Sequence, residues 1–183
     1  QDVPSYDCTP EDIGGLALSH HLPTIAYTYT EPLTWYEYLY DTARLAQEKG
    51  LYNVLVSAGY IQEAPLRALA PLLDAANIDL KSFSDESYRK FNKASLEPVL
   101  RTLLILHEMN VHLEITLLLI PGVNTDDAML HKMFAWITAQ GLNHCAFHIS
   151  RFFPMYQMEV ATPTPIADLQ KAKQIAQEEG VAH

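Results

Sequence analysis

Apolar positions along the chain alternate between two patterns. Short β-like runs cover residues 24–29, 52–57, 76–80, 111–120 and 144–150. Segments of helical periodicity cover 34–49, 63–73, 84–91, 95–108, 126–140 and 165–179. An earlier helix starts at Thr9-Pro10-Glu11-Asp12, with a capping hydroxyl, a proline at the first helical position and acidic residues in the first turn. Thr34-Trp35-Tyr36-Glu37 has the spacing of a capping box, and Ser84-Asp85-Glu86 and Thr164-Pro165 mark two more starts. Gly50, Asn110, Gly141 and Gly180 sit where helices end in a left-handed cap, each followed by an aliphatic residue. Strand and helix repeat about every 30 residues, the size of a βαβ unit. The pattern predicts one α/β domain, a parallel sheet covered by helices.

Side chains two apart on a strand share a face. By that rule Tyr27, Tyr29 and Glu31 align, as do Asn77, Asp79 and Lys81, then His112, Glu114 and Thr116, then His144, Ala146, His148 and Ser150. Strands buried on both sides would read as continuous aliphatic runs. A polar, ionisable face instead suits a barrel or partial barrel whose inner surface lines a cavity. Ligand chemistry in such folds gathers at the C-terminal strand ends. The residues there are Glu31, Ser57, Asp79 with Lys81, Thr116, and His148 with Ser150 and Arg151. Singly, each has a structural reading: Asp79 and Lys81 as an internal ion pair, with Glu114 as its neighbour. As a set on one rim they point to a ligand site, because burying several charges without use is costly.

The chain carries 12 Lys and Arg against 22 Asp and Glu, a net charge of −10. That balance argues against nucleic acid and against an anionic membrane surface as partners. The longest apolar runs, such as 115–120, fall far short of the roughly 20 residues that span a bilayer. Cys8 and Cys145 lie far apart and make neither a metal nor a redox motif, so no metal site and a cytoplasmic setting with free thiols are expected. Gly14-Gly15 follows no strand and is no phosphate loop. His20-His21 reads as a helix end, and His107 and His131 as surface residues of helices.

Five segments carry a resemblance. They are Tyr27-Thr28-Tyr29-Thr30-Glu31-Pro32, then Asn53-Val54-Leu55-Val56-Ser57-Ala58-Gly59-Tyr60, then Asn77-Ile78-Asp79-Leu80-Lys81, then Ile120-Pro121-Gly122-Val123-Asn124, then His148-Ile149-Ser150-Arg151-Phe152. In that order, from about residue 24 to residue 180, the chain resembles the radical S-adenosylmethionine superfamily. Within it the chain is most similar to enzymes like pyruvate formate-lyase activating enzyme, in particular the AmmeMemoRadiSam-type radical enzymes. The resemblance implies an incomplete parallel (β/α) barrel of about five strands with flanking helices. It implies S-adenosylmethionine and a four-iron four-sulfur cluster as cofactors, reductive cleavage to a 5′-deoxyadenosyl radical, and hydrogen abstraction, in the activating enzymes from a glycine of a partner protein. It further implies cofactor-binding roles for Glu31, Ser57, Asp79, Lys81, Thr116 and His148. Glu31 stands where the family's Gly-Gly-Glu-Pro-like motif binds the ammonium, with Tyr29-Thr30 in place of the glycines. Ser57 would donate to the carboxylate or ribose, and Asp79-Leu80-Lys81 matches an element beside the methionyl and ribose groups. Pro121-Gly122 suits a type II turn near the adenine. Phe153 stands where related sequences often carry His.

The family's CxxxCxxC segment would precede the first helix, and Cys8 has no partners for it. The leading helix has no strand before it, and Val181-Ala182-His183 begins where another strand is due. Residues 1–183 are therefore expected to be a core fragment cut at both ends, binding neither cofactor on its own, with exposed sheet edges that favour a homodimer. Catalytic residues are not assigned. Two other readings stay open: a barrel lyase or aldolase with Lys81 as Schiff-base amine, and a non-catalytic binding protein.

Overall fold

A computed structural model describes residues 7–155 and 162–181. Five parallel strands form one sheet whose spatial order equals chain order: β1 (Thr24–Tyr27), β2 (Tyr52–Ser57), β3 (Ala75–Asp79), β4 (His112–Leu119) and β5 (Ala146–Arg151). Helix α1 (Pro10–Ser19) precedes β1. The crossovers are α2 (Tyr36–Glu48), α3 (Glu63–Leu69), the short α4 (Asp85–Ser87) with α5 (Leu96–Glu108), and α6 (Asp127–Ala139); α7 (Ile166–Glu178) follows β5. Parallel crossovers are right-handed, so strands that never reverse their order send every crossover to one side.

The burial pattern follows. On the helix side Leu55, Ile78, Ile115, Leu117 and Leu119 are buried. They pack in one core with Leu66 and Leu69 of α3, Leu103 and Leu106 of α5, and Met133 and Phe134 of α6. On the other side Thr24, Ala26, Tyr52, Val56, His112, Leu118 and His148 are exposed. This is the incomplete barrel the polar strand faces suggest, with its inner surface open. No described helix is long and apolar enough to cross a membrane.

Strand register corrects part of the parity argument. Val56 pairs with Asn77, Asn77 with Glu114, Asp79 with Thr116, and Thr116 with His148, so these residues share the open face. Tyr27 pairs with Leu55 and Ser57 with Ile78, which puts them on the helix side. β1 ends at Tyr27, so Tyr29 and Glu31 lie beyond the strand and outside its alternation.

Of the four helix starts expected from local chemistry, Thr9 and Ser84 cap and Thr34 and Thr164 do not. The Thr9–Asp12 capping box is present, and Asp126 caps α6 through the Met129 N–H. Thr34 caps nothing: Glu31 caps a 3-10 turn over Pro32–Trp35, and α2 starts behind it without a side-chain cap. Thr164 is fully buried and does not cap α7; its hydroxyl donates to the Leu119 carbonyl and accepts from the Phe152 N–H.

Asn53, fully buried, ties the first half of the sheet to its helices. Its Nδ2 donates to the carbonyls of Ala43 and Leu72, each at 2.9 Å, and its Oδ1 accepts from the Tyr27 hydroxyl at 2.8 Å. Replacing it with Leu takes the partner from three polar groups that are buried or partly buried. Asn53→Leu is expected to lower the unfolding free energy by about 3 kcal/mol, read from urea denaturation.

Candidate functional site

Two loops at the C-terminal rim of the sheet are tied together by one carboxylate. Glu31 Oε1 accepts from the Ser57 hydroxyl at 2.6 Å and from the Leu33 N–H at 3.2 Å. Its Oε2 accepts from the Ala58 N–H at 2.8 Å. Ser57 in turn accepts from the Gly59 N–H at 3.0 Å. Gly59 must be glycine: its φ is +68°, and a Cβ there would lie 2.7 Å from Ile78 Cγ2. Ser57 thus belongs to the helix side by register, yet its position at the last residue of β2 brings its hydroxyl to the rim.

Beyond β3, Asp79 and Lys81 form a partly exposed ion pair at 2.7 Å. The Lys81 backbone is held from both sides. Its N–H donates to the hydroxyl of buried Tyr88 at 3.1 Å, and burial pushes that phenol up to about 12. Its carbonyl accepts from Asn124 Nδ2 at 2.8 Å, which also reaches the Leu118 carbonyl at 2.8 Å. Asn124 Oδ1 accepts from the Ile120 N–H at 2.6 Å. The expected type II turn is in place, with Gly122 at φ +73° and the Val123 N–H bonded to the Ile120 carbonyl. Its product is the placement of Asn124. The sequence pattern did not single out Asn124 or Tyr88 as supports: Tyr88 reaches Lys81 from a helical turn seven residues on, and Asn124 from a loop 43 residues away.

Glu31, Ser57, Asp79 and Lys81 line one cavity of about 480 Å³, with Tyr29 and Val56 among its walls. Thr116 and His148 are not among its lining residues. They belong to a second polar group on the open face. The Thr116 hydroxyl donates to Asn77 Oδ1 at 2.8 Å, Asn77 Nδ2 donates to Glu114 Oε2 at 3.4 Å, and His148 Nε2 lies 2.8 Å from the same oxygen. The His148 contact is the main cause that holds the Glu114 carboxyl below its usual range. Glu114 therefore partners His148 and not the Asp79–Lys81 pair. A hollow of about 430 Å³ lined by Phe147, Ile149, Leu169 and Val181 lies on the helix side of β5, the face opposite His148. Phe153 is exposed and stacks under the Arg151 guanidinium at 4.9 Å.

Two outcomes follow from these contacts. Ser57→Ala leaves the Gly59 N–H without its acceptor and removes a donor from Glu31, and is expected to cost about 1–2 kcal/mol in denaturant unfolding. Glu114 ionises more readily in the folded chain, so its stabilisation is present above its ordinary value of 4.5 and is lost as pH falls below it. The gap in thermal midpoint between the protein and Glu114→Gln is expected to narrow as pH falls below the ordinary carboxyl value of 4.5.

Residues 2–134 match the sequence profile of the Radical SAM superfamily. An uncharacterised protein of Methanocaldococcus jannaschii is 38% identical over 182 residues, which cover all of this chain and 54% of that protein. The chain thus spans about half the length of the curated relative it matches. Among solved structures, a domain of pyruvate-formate lyase-activating enzyme from Bacteroides vulgatus superposes with a TM-score of 0.66 at 20% identity, covering 85% of this chain and 94% of that one. Archaeal TYW1 gives 0.63 at 17% identity over 98% of this chain and 66% of its own. The protein anSMEcpe, solved with bound AdoMet, gives 0.66 at 14% identity over 96% of this chain and 52% of its own. At these identities the likeness is one of fold. The profile match covers most of the chain, over motifs that the structure sets at the ends of parallel strands: the chain belongs to the radical SAM superfamily.

Proposed function

We propose that this chain is the S-adenosylmethionine-binding body of a radical enzyme similar to the pyruvate formate-lyase activating type. The observation that carries the reading is the cavity that joins Glu31, Ser57, Asp79 and Lys81 at the strand ends. S-adenosylmethionine bears an ammonium, a carboxylate, a ribose and a sulfonium, and this cavity offers acceptors for the first and a cation for the second. Asp79 is the acceptor placed for the ammonium or ribose, and Lys81 the donor for the carboxylate. Glu31 keeps its two oxygens fixed by three donors, so it meets a cation without reorganising. Thr116, paired in register with Asp79, borders the site on the next strand.

In this superfamily the chemistry supplied is reductive cleavage of S-adenosylmethionine at a four-iron four-sulfur cluster, with hydrogen abstraction by the resulting 5′-deoxyadenosyl radical. The residues of this chain do not fit the cluster. Its two cysteines are exposed Cys8 and buried Cys145, and no group of three metal-ligating side chains among the described residues is placed to hold a metal ion. Clusters of this kind are held by several thiolates. Their source is therefore assigned to polypeptide outside these 183 residues, and the hydrogen donor to a glycine of a partner protein, as in the activating enzymes the motifs resemble.

The test is anaerobic reconstitution with iron and sulfide of a longer polypeptide that joins a CxxxCxxC segment to this chain. Reductive release of 5′-deoxyadenosine is expected, and Asp79→Ala is expected to weaken S-adenosylmethionine binding by about tenfold, the loss of one charge-assisted contact. A cluster-loaded polypeptide that never cleaves S-adenosylmethionine overturns the reading.

A further inference from the structure

The open face of the sheet divides by chemistry. Over β1 and β2 it presents Thr24, Ala26, Tyr52, Val54 and Val56; over β3 to β5 polar residues predominate, Asn77, Asp79, His112, Glu114, Thr116, His148 and Ser150, with Ala75, Leu118 and Ala146 between them. The polar half holds a hydrogen-bonded series with a fixed direction. A carboxylate only accepts, so the His148 ring nitrogen 2.8 Å from Glu114 Oε2 is the one that carries hydrogen. The same oxygen accepts from Asn77, which is itself fixed by Thr116. In the neutral ring the lone pair then belongs to Nδ1, which takes no partner among the described residues. The His148 side chain is 47% exposed.

Among the described residues the other charged groups near this pair are few. His112 Nε2 lies 3.7 Å from Glu114 Oε1, and Asp79, paired with Lys81, stands on the strand next to Glu114 and two strands from His148. Strands lie about 4.8 Å apart, so His148 is roughly 10 Å from Asp79 along one row of the face. A separation of about 10 Å leaves room for a second molecule beside one held in the rim cavity. A half-exposed ion pair contributes only about 0–1 kcal/mol to stability, a small return for a carboxylate braced by Asn77 and Thr116 behind a histidine that faces solvent.

We propose that His148 is a proton acceptor for a substrate bound on the polar half of the open face, with Glu114 as the residue that positions it. The substrate class is an alcohol, amine or carbon acid that presents its O–H, N–H or C–H to Nδ1. In the step the substrate bond to hydrogen breaks, the electron pair stays on the substrate, and the proton bonds to Nδ1. Glu114 compensates the imidazolium that forms, as a carboxylate does behind a catalytic imidazole. No oxidant or reductant enters. The identity of the neighbouring molecule rests on the reading given under Proposed function; the base itself does not.

The probe is 5-nitrobenzisoxazole, whose ring C–H is lost as a proton while its N–O bond breaks to give a coloured cyanophenolate. It needs neither cluster nor S-adenosylmethionine and is assayed on the chain as it stands. The rate near neutral pH is expected to fall by about tenfold in His148→Gln, short of the roughly hundredfold or more of a fully enclosed base. Glu114→Gln is expected to fall toward the same value. His131→Gln removes another carboxylate-paired histidine, bonded to Glu179 at 2.7 Å on the α6–α7 side, and is expected to keep the full rate. Long-range 1H–15N spectra are expected to show His148 as the Nε2–H tautomer in the protein and as a mixture in Glu114→Gln. An unchanged rate in His148→Gln or Glu114→Gln, or an equal fall in His131→Gln, overturns the proposal. Failure of 5′-deoxyadenosine release in the longer polypeptide leaves this rate untouched, so the two readings fail separately.

Discussion

Each crossover of a parallel sheet returns on the same side, and here the strand order never reverses. Every helix of a crossover therefore falls behind the sheet, and the front is left with side chains that no helix covers. The sequence has to satisfy both conditions on alternate residues. β4 does so most plainly: Leu113, Ile115, Leu117 and Leu119 are buried behind, while His112, Glu114, Thr116 and Leu118 stand in front. Functional groups can be changed on the front without disturbing the core, because the two sets share a backbone and little else.

The carboxylates on that front and rim are held still before any ligand arrives. Glu31 has three donors, Asp79 has Lys81, and Glu114 has His148 and Asn77. Fixed charge of this kind acts on a ligand without the cost of turning dipoles. The helix layer uses charge differently. Glu63 lies between Arg67 and Arg101, whose hydrogen bonds hold its carboxyl at about 2, in a cluster open to water. Such pairs are screened, and they decorate the back of the molecule without shaping its front.

What was legible in the sequence followed the range of the interaction that decides it. The Thr9–Asp12 cap and the left-handed Asn110 depend on a few neighbouring residues, and the residue types announce them. Thr34 misleads because Pro32 opens an unannounced 3-10 turn and transfers the capping role to Glu31. The alignment of Tyr27, Tyr29 and Glu31 fails because alternation holds only while the strand lasts, and β1 stops after four residues. Asp79, Thr116 and His148 could be placed on one face strand by strand. Which of them share a cavity could not, since the pairing of Glu114 with His148 depends on the β4–β5 register, set by packing far along the chain.

Asn124 binds two carbonyls that neither strand can satisfy once the ladder has ended, those of Lys81 and Leu118. Its amide works as a rivet between two neighbouring strand ends, and the Pro121-Gly122 turn sets the rivet's length. The position of the Lys81 backbone is thereby delegated to a loop that need not touch any ligand. Among proteins built on this plan, lengthening or reshaping that loop would retune what the cavity accepts while every residue lining it stayed the same.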